Sequence, residues 1–434
     1  MGKGMKVLDT GDLEWGKGFR EAVEWVQGGH ESLFITGRAG SGKSTLLRYL
    51  TTHILCDPVV LAPTGVAALA IGGETLHSFF RFPPRVLFSW DLSEGMGKQS
   101  HRHLSRLETL VIDEISMVRA DVFDGIEYLL RKHGPEPGMP FGGVRLLVFG
   151  DLFQLPPVVN PFESEALLTV QTGPWFFQSP AYRKIGFRRI FLESVYRQND
   201  STFLDRLESA RLADPEPEDL EFWNRRVKKS DANSFVTPTV VLTATNVISG
   251  VINGQALAGL TGMMKHYQAE IEGEFDTLAA PVPEILSLRI GAQIMFQRNH
   301  PERLWVNGTM GTITGLDDDA IWVELTGKFD SVRVSRELWK KIRYEEDPET
   351  GRIREKEVGR CKQFPLKPAW AITVHKSQGQ EFERVHIDLG RGSFAHGQAY
   401  VALSRCVQLA GLSLQNPLRR EDFKLDPAVR DFME

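Results

Sequence analysis

At 434 residues with 42 % hydrophobic side chains, the chain is long enough for two or three domains with cores of their own. Its net charge of −5 argues against coating nucleic acid by bulk electrostatics, while leaving room for a local basic groove. Cys56, Cys361 and Cys406 lack metal-ligand spacing and suit a reducing cytosol, and no apolar run approaches the ~18 residues of a membrane span. The expectation is a cytoplasmic protein without membrane contact.

Phe19, Ala22, Val23 and Val26 recur at helical spacing and stop at Gly28-Gly29, which predicts a short helix. Residues 33–36 (Leu-Phe-Ile-Thr) read as a buried strand and residues 43–55 as an amphipathic helix. Between them runs Gly37-Arg38-Ala39-Gly40-Ser41-Gly42-Lys43-Ser44. A Gly-rich loop placed between strand and helix turns its backbone N–H groups toward an anion, and the context makes the string specific. Gly37, Ala39, Gly40, Ser41, Gly42, Lys43, Ser44 and Thr45 are the expected triphosphate cradle, with Lys43 reaching the β- and γ-phosphates and Ser44 holding Mg²⁺.

Further strands are predicted at Val59–Ala62, Thr109–Ile112 and 146–149, with helices between them, so the fold class is α/β with parallel sheets covered on both faces. Residues 133–143, rich in Gly and Pro, read as a surface loop. Residues 79–104 have a different texture, with Phe79, Phe80, Phe82, Phe88 and Trp90 interleaved with Arg81 and Arg85, and read as an insertion. It is either a strand-separating wedge or a satellite core with solvated arginines.

The strand ending at Ile112 runs into Asp113-Glu114. A carboxylate there can hold the water shell of Mg²⁺ while its neighbour orients or deprotonates the attacking water, giving Asp113 to the metal and Glu114 to the water. The run Gly150-Asp151-Leu152-Phe153-Gln154-Leu155-Pro156-Pro157 closes the strand at 146–149, at the sheet edge where ligands bind, and Gln154 is placed to touch the γ-phosphate or the water. A second α/β unit begins near 188, with strands at 239–243 and 385–389. Between these, residues 308–335 alternate like a small barrel: Ile321, Val323 and Leu325 share a face, Val332 and Val334 lie on another strand, and Asp317-Asp318-Asp319 turns the chain. Arg197 and Arg405 are candidate finger arginines, a role worth about 10³–10⁵ in rate, although most single arginines are surface or salt-bridged.

Taken in order, Ala62-Pro63-Thr64-Gly65-Val66-Ala67-Ala68, Thr75-Leu76-His77-Ser78-Phe79, Asp113-Glu114, 150–157 and Arg197-Gln198 are followed by Ala244-Thr245-Asn246, Val306-Asn307-Gly308, Thr373-Val374-His375-Lys376-Ser377-Gln378-Gly379 and Tyr400-Val401-Ala402-Leu403-Ser404-Arg405. This series resembles the superfamily 1 DNA helicases of the Pif and RecD type across nearly the whole chain. The resemblance implies two RecA-like lobes, residues 1–187 and 188–434, with the 79–104 insertion in the first and an SH3-like all-β insertion at 310–361 in the second. It also implies ATP-driven 5′-to-3′ movement on single-stranded DNA with unwinding of duplexes and junctions, a monomer in the absence of DNA, and work in DNA repair or recombination.

Carried over by position, Lys43, Ser44, Asp113, Glu114, Gln154, Arg197 and Arg405 match the family's ATPase residues. Gln378 and Gly379 match its motif near the γ-phosphate, and Glu381 the ribose position. Pro63, Thr64, Gly65, His77, Ser78, Phe79, Asn246, His375, Lys376 and Ser377 match residues lining the DNA track. One departure is visible: where the family places an adenine-reading glutamine, this chain has Arg20 or Glu21, with Gln27 or a backbone contact left as substitute. The same motor on a chain that remodels protein–DNA complexes with little unwinding is the alternative. A signalling GTPase is disfavoured, because no Asn/Thr-Lys-x-Asp base-reading motif occurs.

Overall fold

The computed structural model describes residues 16–29, 31–64, 67–68, 71–83, 85–88, 104–159, 161–193, 200–229, 239–273, 282–298, 300–302, 304–305, 308–326, 331–346 and 353–434. Short apolar runs form β1 (Leu33–Gly37), β2 (Val59–Ala62), β3 (Glu74–Thr75), β4 (Thr109–Ile112), β5 (Arg145–Gly150) and β6 (Arg188–Leu192). They make one parallel sheet in the order β3-β2-β4-β5-β1-β6. β1 and β4 are buried along their whole length, as expected of central parallel strands with helices on both faces. The predicted first helix is Lys17–Gly28, burying Phe19, Ala22, Val23 and Val26. The helix after the Gly-rich loop is α-helical only over Lys43–Tyr49 and widens to a π-helix over Leu50–Ile54.

β7 (Val240–Thr243) opens a second sheet, which the chain then leaves for an all-β excursion. Its strands are β8 (Lys265–Gln268), β9 (Glu270–Gly273), β10 (Ile285–Leu288), β11 (Gln293–Phe296), β12 (Met310–Leu316), β13 (Ile321–Leu325), β14 (Ser331–Val334), β15 (Glu337–Glu346), β16 (Ile353–Gln363) and β17 (Leu366–Pro368). The chain returns as β18 (Ala371–Thr373), β19 (Val385–Asp388) and β20 (Leu412–Leu414), completing a parallel sheet in the order β18-β7-β19-β20. The excursion folds as antiparallel sheets, the largest being β14-β13-β12-β11-β17. Ile321, Val323 and Leu325 face its core, as their alternation predicts.

Three expectations are corrected. The strand at 188–192 does not open the second lobe, because β6 pairs in parallel with β1 at the edge of the first sheet. The all-β insertion is wider than 310–361, since β11 and β17 complete the sheet that β12 alone would leave with an open edge. The 133–143 stretch is not purely surface: Phe141 is fully buried against Phe123. Residue 84 and residues 89–103 of the 79–104 insertion, including the tip proposed as a wedge, lie outside the described residues, as does Gly65. The described part packs inward, with Phe80 and Phe82 buried and stacked at 5.4 Å.

The last helix, Pro427–Met433, belongs to the first lobe's core, where Val429 is fully buried. Phe432 stacks on Phe177 at 4.1 Å, and the Arg189 guanidinium lies 3.9 Å from its ring centre. Phe432→Ala is expected to lower stability by ~2 kcal/mol through lost burial and ring contacts. Calorimetry checks it, and an unchanged melting curve would show that the helix merely rests on the lobe.

Candidate functional site

The phosphate loop leaves β1 through Gly37, where a Cβ would approach the Leu192 carbonyl to 2.7 Å, so only glycine fits. Gly40 and Gly42 take φ of 80° and 85°, curling the loop over the start of the helix at Lys43. Lys43 Nζ donates to the carbonyls of Gly37 (2.7 Å) and Arg38 (2.9 Å). Burial pulls the Lys43 pKa below its ordinary value and outweighs the opposing pull of Asp151, Glu114 and Asp113. Ser41 Oγ is buried without a hydrogen-bond partner among the described residues, and Ser44 and Thr45 follow at the helix start.

Asp113 and Glu114 end β4 facing this loop. Burial, reinforced by the neighbouring Glu114 charge, pushes the Asp113 carboxyl up to about 7. Glu114 adopts φ 49°, ψ 45°, a left-handed conformation costly for a non-glycine residue, and its carboxylate accepts from Gln378 Nε2 at 3.1 Å. That bond joins the first lobe to the turn that follows β18. Gln378 Oε1 is buried without a partner among the described residues, while Gly379 and Glu381 are exposed on the loop beyond.

From the second lobe, Arg405 is buried. It donates from Nε to Val401 O (3.0 Å), from Nη1 to Gln380 O (3.2 Å) and from Nη2 to Ser404 Oγ (3.0 Å). The Gln380 contact puts its guanidinium two residues from the glutamine that holds Glu114. Arg197, the other expected finger, lies outside the described residues. Glu21 pairs with Arg188 at 2.7 Å, and Arg20 and Gln27 are exposed on the same helix.

Three residues without an assignment from sequence, Asp151, Arg211 and Tyr400, meet at the centre of the seam. Asp151, fully buried, accepts from Arg211 Nη2 at 3.1 Å and Nε at 3.2 Å, and from the Tyr400 hydroxyl at 3.2 Å. The Tyr400 oxygen in turn accepts from the Ala39 N–H of the phosphate loop at 2.9 Å. Burial raises the Asp151 pKa, but Arg211 and Lys43 outweigh it and hold the carboxyl below its ordinary value. Glu208 ties Arg211 (3.1 Å) to Arg38 of the loop (2.8 Å). Gln154, also buried, lies 3.5 Å from Asp151 through Nε2. Leu155 sits in the second lobe's hydrophobic core, and His396 donates from Nε2 to Leu152 O at 2.7 Å. The 150–157 run is therefore held by both lobes.

A cleft of about 900 Å³ opens on the other side of the Glu114–Gln378 bond. Thr64 lines it from the first lobe, and Asn246, His375 and Lys376 from the second, with Lys367 of β17 beside them. Phe394, 60 % exposed, presents its ring nearly parallel to His375 with centroids 6.4 Å apart. Other expected DNA contacts stand elsewhere. Ser377 is buried and its hydroxyl donates to Val374 O at 2.7 Å, so it closes its own turn instead of facing the cleft. Pro63, His77, Ser78 and Phe79 are not among the lining residues; His77 packs edge-on against Phe82, and burial lowers its pKa.

Ser44 and Asp113 supply hydroxyl and carboxylate oxygens, the hard donors that Mg²⁺ takes. Asp113 is buried and the adjacent Glu114 half-buried, and a divalent cation there relieves their repulsion, so the residues fit the ion.

Comparison with known proteins agrees with this geometry. The family model for PIF1-like helicase matches residues 17–214. The ATP-dependent DNA helicase Pif1 of Bdellovibrio bacteriovorus is 33 % identical over 447 residues, covering 100 % of this chain and 95 % of that protein. The human ATP-dependent DNA helicase PIF1 is 33 % identical over 88 % of this chain, which spans 58 % of the human protein's length. The crystal structure of Pif1 helicase from Bacteroides with ADP-AlF3 and single-stranded DNA superposes with a TM-score of 0.87 at 33 % identity, covering 97 % of both chains. With two parallel-sheet lobes, an all-β insertion and a phosphate loop at their seam, this chain belongs to the PIF1-like helicase family.

Proposed function

We propose that this chain is an ATP-dependent DNA helicase that grips single-stranded DNA in the cleft and moves along it 5′ to 3′, opening duplex at single-strand/double-strand junctions. The observation that carries this reading is the Glu114–Gln378 hydrogen bond. It closes the phosphate-loop side of the seam and, from the same two residues, lines one end of the cleft. An event at the nucleotide is thus one side chain away from the DNA surface.

In the cycle we infer, ATP phosphates take the loop amides and draw Lys43 away from the Gly37 and Arg38 carbonyls. Ser44 and Asp113 would hold Mg²⁺, which would neutralise charge on the phosphates. Glu114 orients the attacking water and takes its proton, and Gln378 fixes the Glu114 rotamer. Arg405, with Arg197, stabilises the charge of the transferring phosphoryl group. Loss of the γ-phosphate weakens contacts that bridge the lobes, and alternating closure advances the strand.

A tailed-duplex assay tests the reading. Strand displacement with ATP on a 5′ tail and none on a 3′ tail is expected. Equal action on both tails overturns the polarity, and DNA-stimulated ATP hydrolysis without displacement on either favours a remodelling translocase.

A further inference from the structure

Lys367 stands on β17, the edge strand of the insertion's main sheet, opposite Met295. Lys376 stands in the turn Val374–Ser377 after β18. The fold brings both to the wall of one cleft, close enough for the Lys376 charge to act on Lys367. Burial, and then the Lys376 charge, hold the Lys367 pKa down at about 7. Neither lysine has a carboxylate partner among the described residues, and the other ionisable groups lining the cleft are Glu114, held by Gln378, and His375, whose pKa burial lowers. Two cations that face each other without an acid between them repel, and an anion placed between them converts that repulsion into two charge-assisted hydrogen bonds. Thr64, Asn246 and Ser287 line the same wall with neutral polar groups, which suits a phosphodiester better than a carboxylate-rich protein surface.

We propose that Lys367 and Lys376 form a clamp for one phosphate of the single strand, making Lys367 the point where the all-β insertion holds DNA. This rests on the helicase reading. Because β17 belongs to the insertion and the Val374–Ser377 turn leads into Gln378, a phosphate in the clamp ties the insertion to the residue that contacts Glu114. It thereby couples grip on DNA to the nucleotide side.

The test is fluorescence anisotropy of a labelled oligo-dT with the full chain across a KCl titration. Each phosphate neutralised on a single strand contributes about 0.7 to the slope of log affinity against log salt. Lys367→Ala is expected to weaken binding about tenfold, and the Lys367→Ala/Lys376→Ala double variant to lower the slope by about 0.7. A loss of about 1.4 would assign the lysines to two separate phosphates and overturn the clamp. Lys367→Arg, which stays charged at all relevant pH, should retain affinity and remove the weakening expected of the native chain as pH rises through neutrality. Lys367→Ala with native affinity and slope, on a variant whose circular dichroism melt is unchanged, overturns the proposal while leaving the helicase reading intact. Failure of the native chain itself to bind the oligonucleotide overturns both.

Discussion

Arg405→Ala is expected to bind ATP within a few-fold of the native affinity while hydrolysing it about 10³-fold more slowly or worse. The guanidinium is docked on Ser404 and on the carbonyl of Gln380, which lies two residues beyond the glutamine that holds Glu114. In the cycle we propose, it supplies positive charge where the phosphoryl group carries its negative charge in the transition state, an interaction absent from the ground state. Loss of such a contact lowers kcat with little change in nucleotide affinity. Single-turnover hydrolysis together with equilibrium binding of a fluorescent ATP analogue separates the two quantities. A kcat within tenfold of native would reduce Arg405 to a brace for the Val401–Gln380 packing.

Arg211→Ala is expected to destabilise the seam by ~3–5 kcal/mol, because it leaves the Asp151 carboxylate buried and without its main counter-charge. The melting temperature should fall on the order of 10 °C. Arg211→Lys keeps the charge but loses the two-nitrogen grip on Asp151 Oδ1 and the stacking over Phe153 at 4.1 Å, so it should recover only part of the loss. The sign with pH is fixed by the direction of the shift. Asp151 has its folded pKa depressed, so its contribution to stability is complete above its unfolded value of 3.8 and disappears as pH falls below it toward the folded one. Calorimetry of the native chain and both variants at neutral and acid pH checks this. Equal melting of Arg211→Ala and native protein would mean that Lys43 and Tyr400 alone suffice for Asp151.

What could be read from the sequence follows how locally each feature is specified. β2 and β4 fall where their apolar runs end, because the flanking Pro63 and Asp113 stop the strands within the runs' own few residues. The phosphate loop was legible for the same reason, since its glycines, lysine and serine are consecutive. β6 is not singled out by the sequence, which points only to a second unit beginning near 188; its place beside β1 depends on a pairing with residues over 150 positions earlier, which no periodicity encodes. Arg211 looks like any arginine in the last turn of a helix. Its burial is decided by Asp151, sixty residues upstream. Lys367 is equally silent, because what marks it is proximity to Lys376 across a turn between strands of different sheets. Ser377 erred the other way, with a motif position read as facing DNA turning inward to satisfy its own backbone.

The final helix has a consequence for how this chain comes into being. Val429, Phe432 and Met433 fill a core whose other walls are built by residues translated first. A ribosome therefore releases the nucleotide-binding half with a gap in its interior, and the gap closes only after residues 427–433 have emerged. The half that emerges earliest matures latest, so the unfinished chain must keep exposed apolar surface away from its neighbours throughout synthesis.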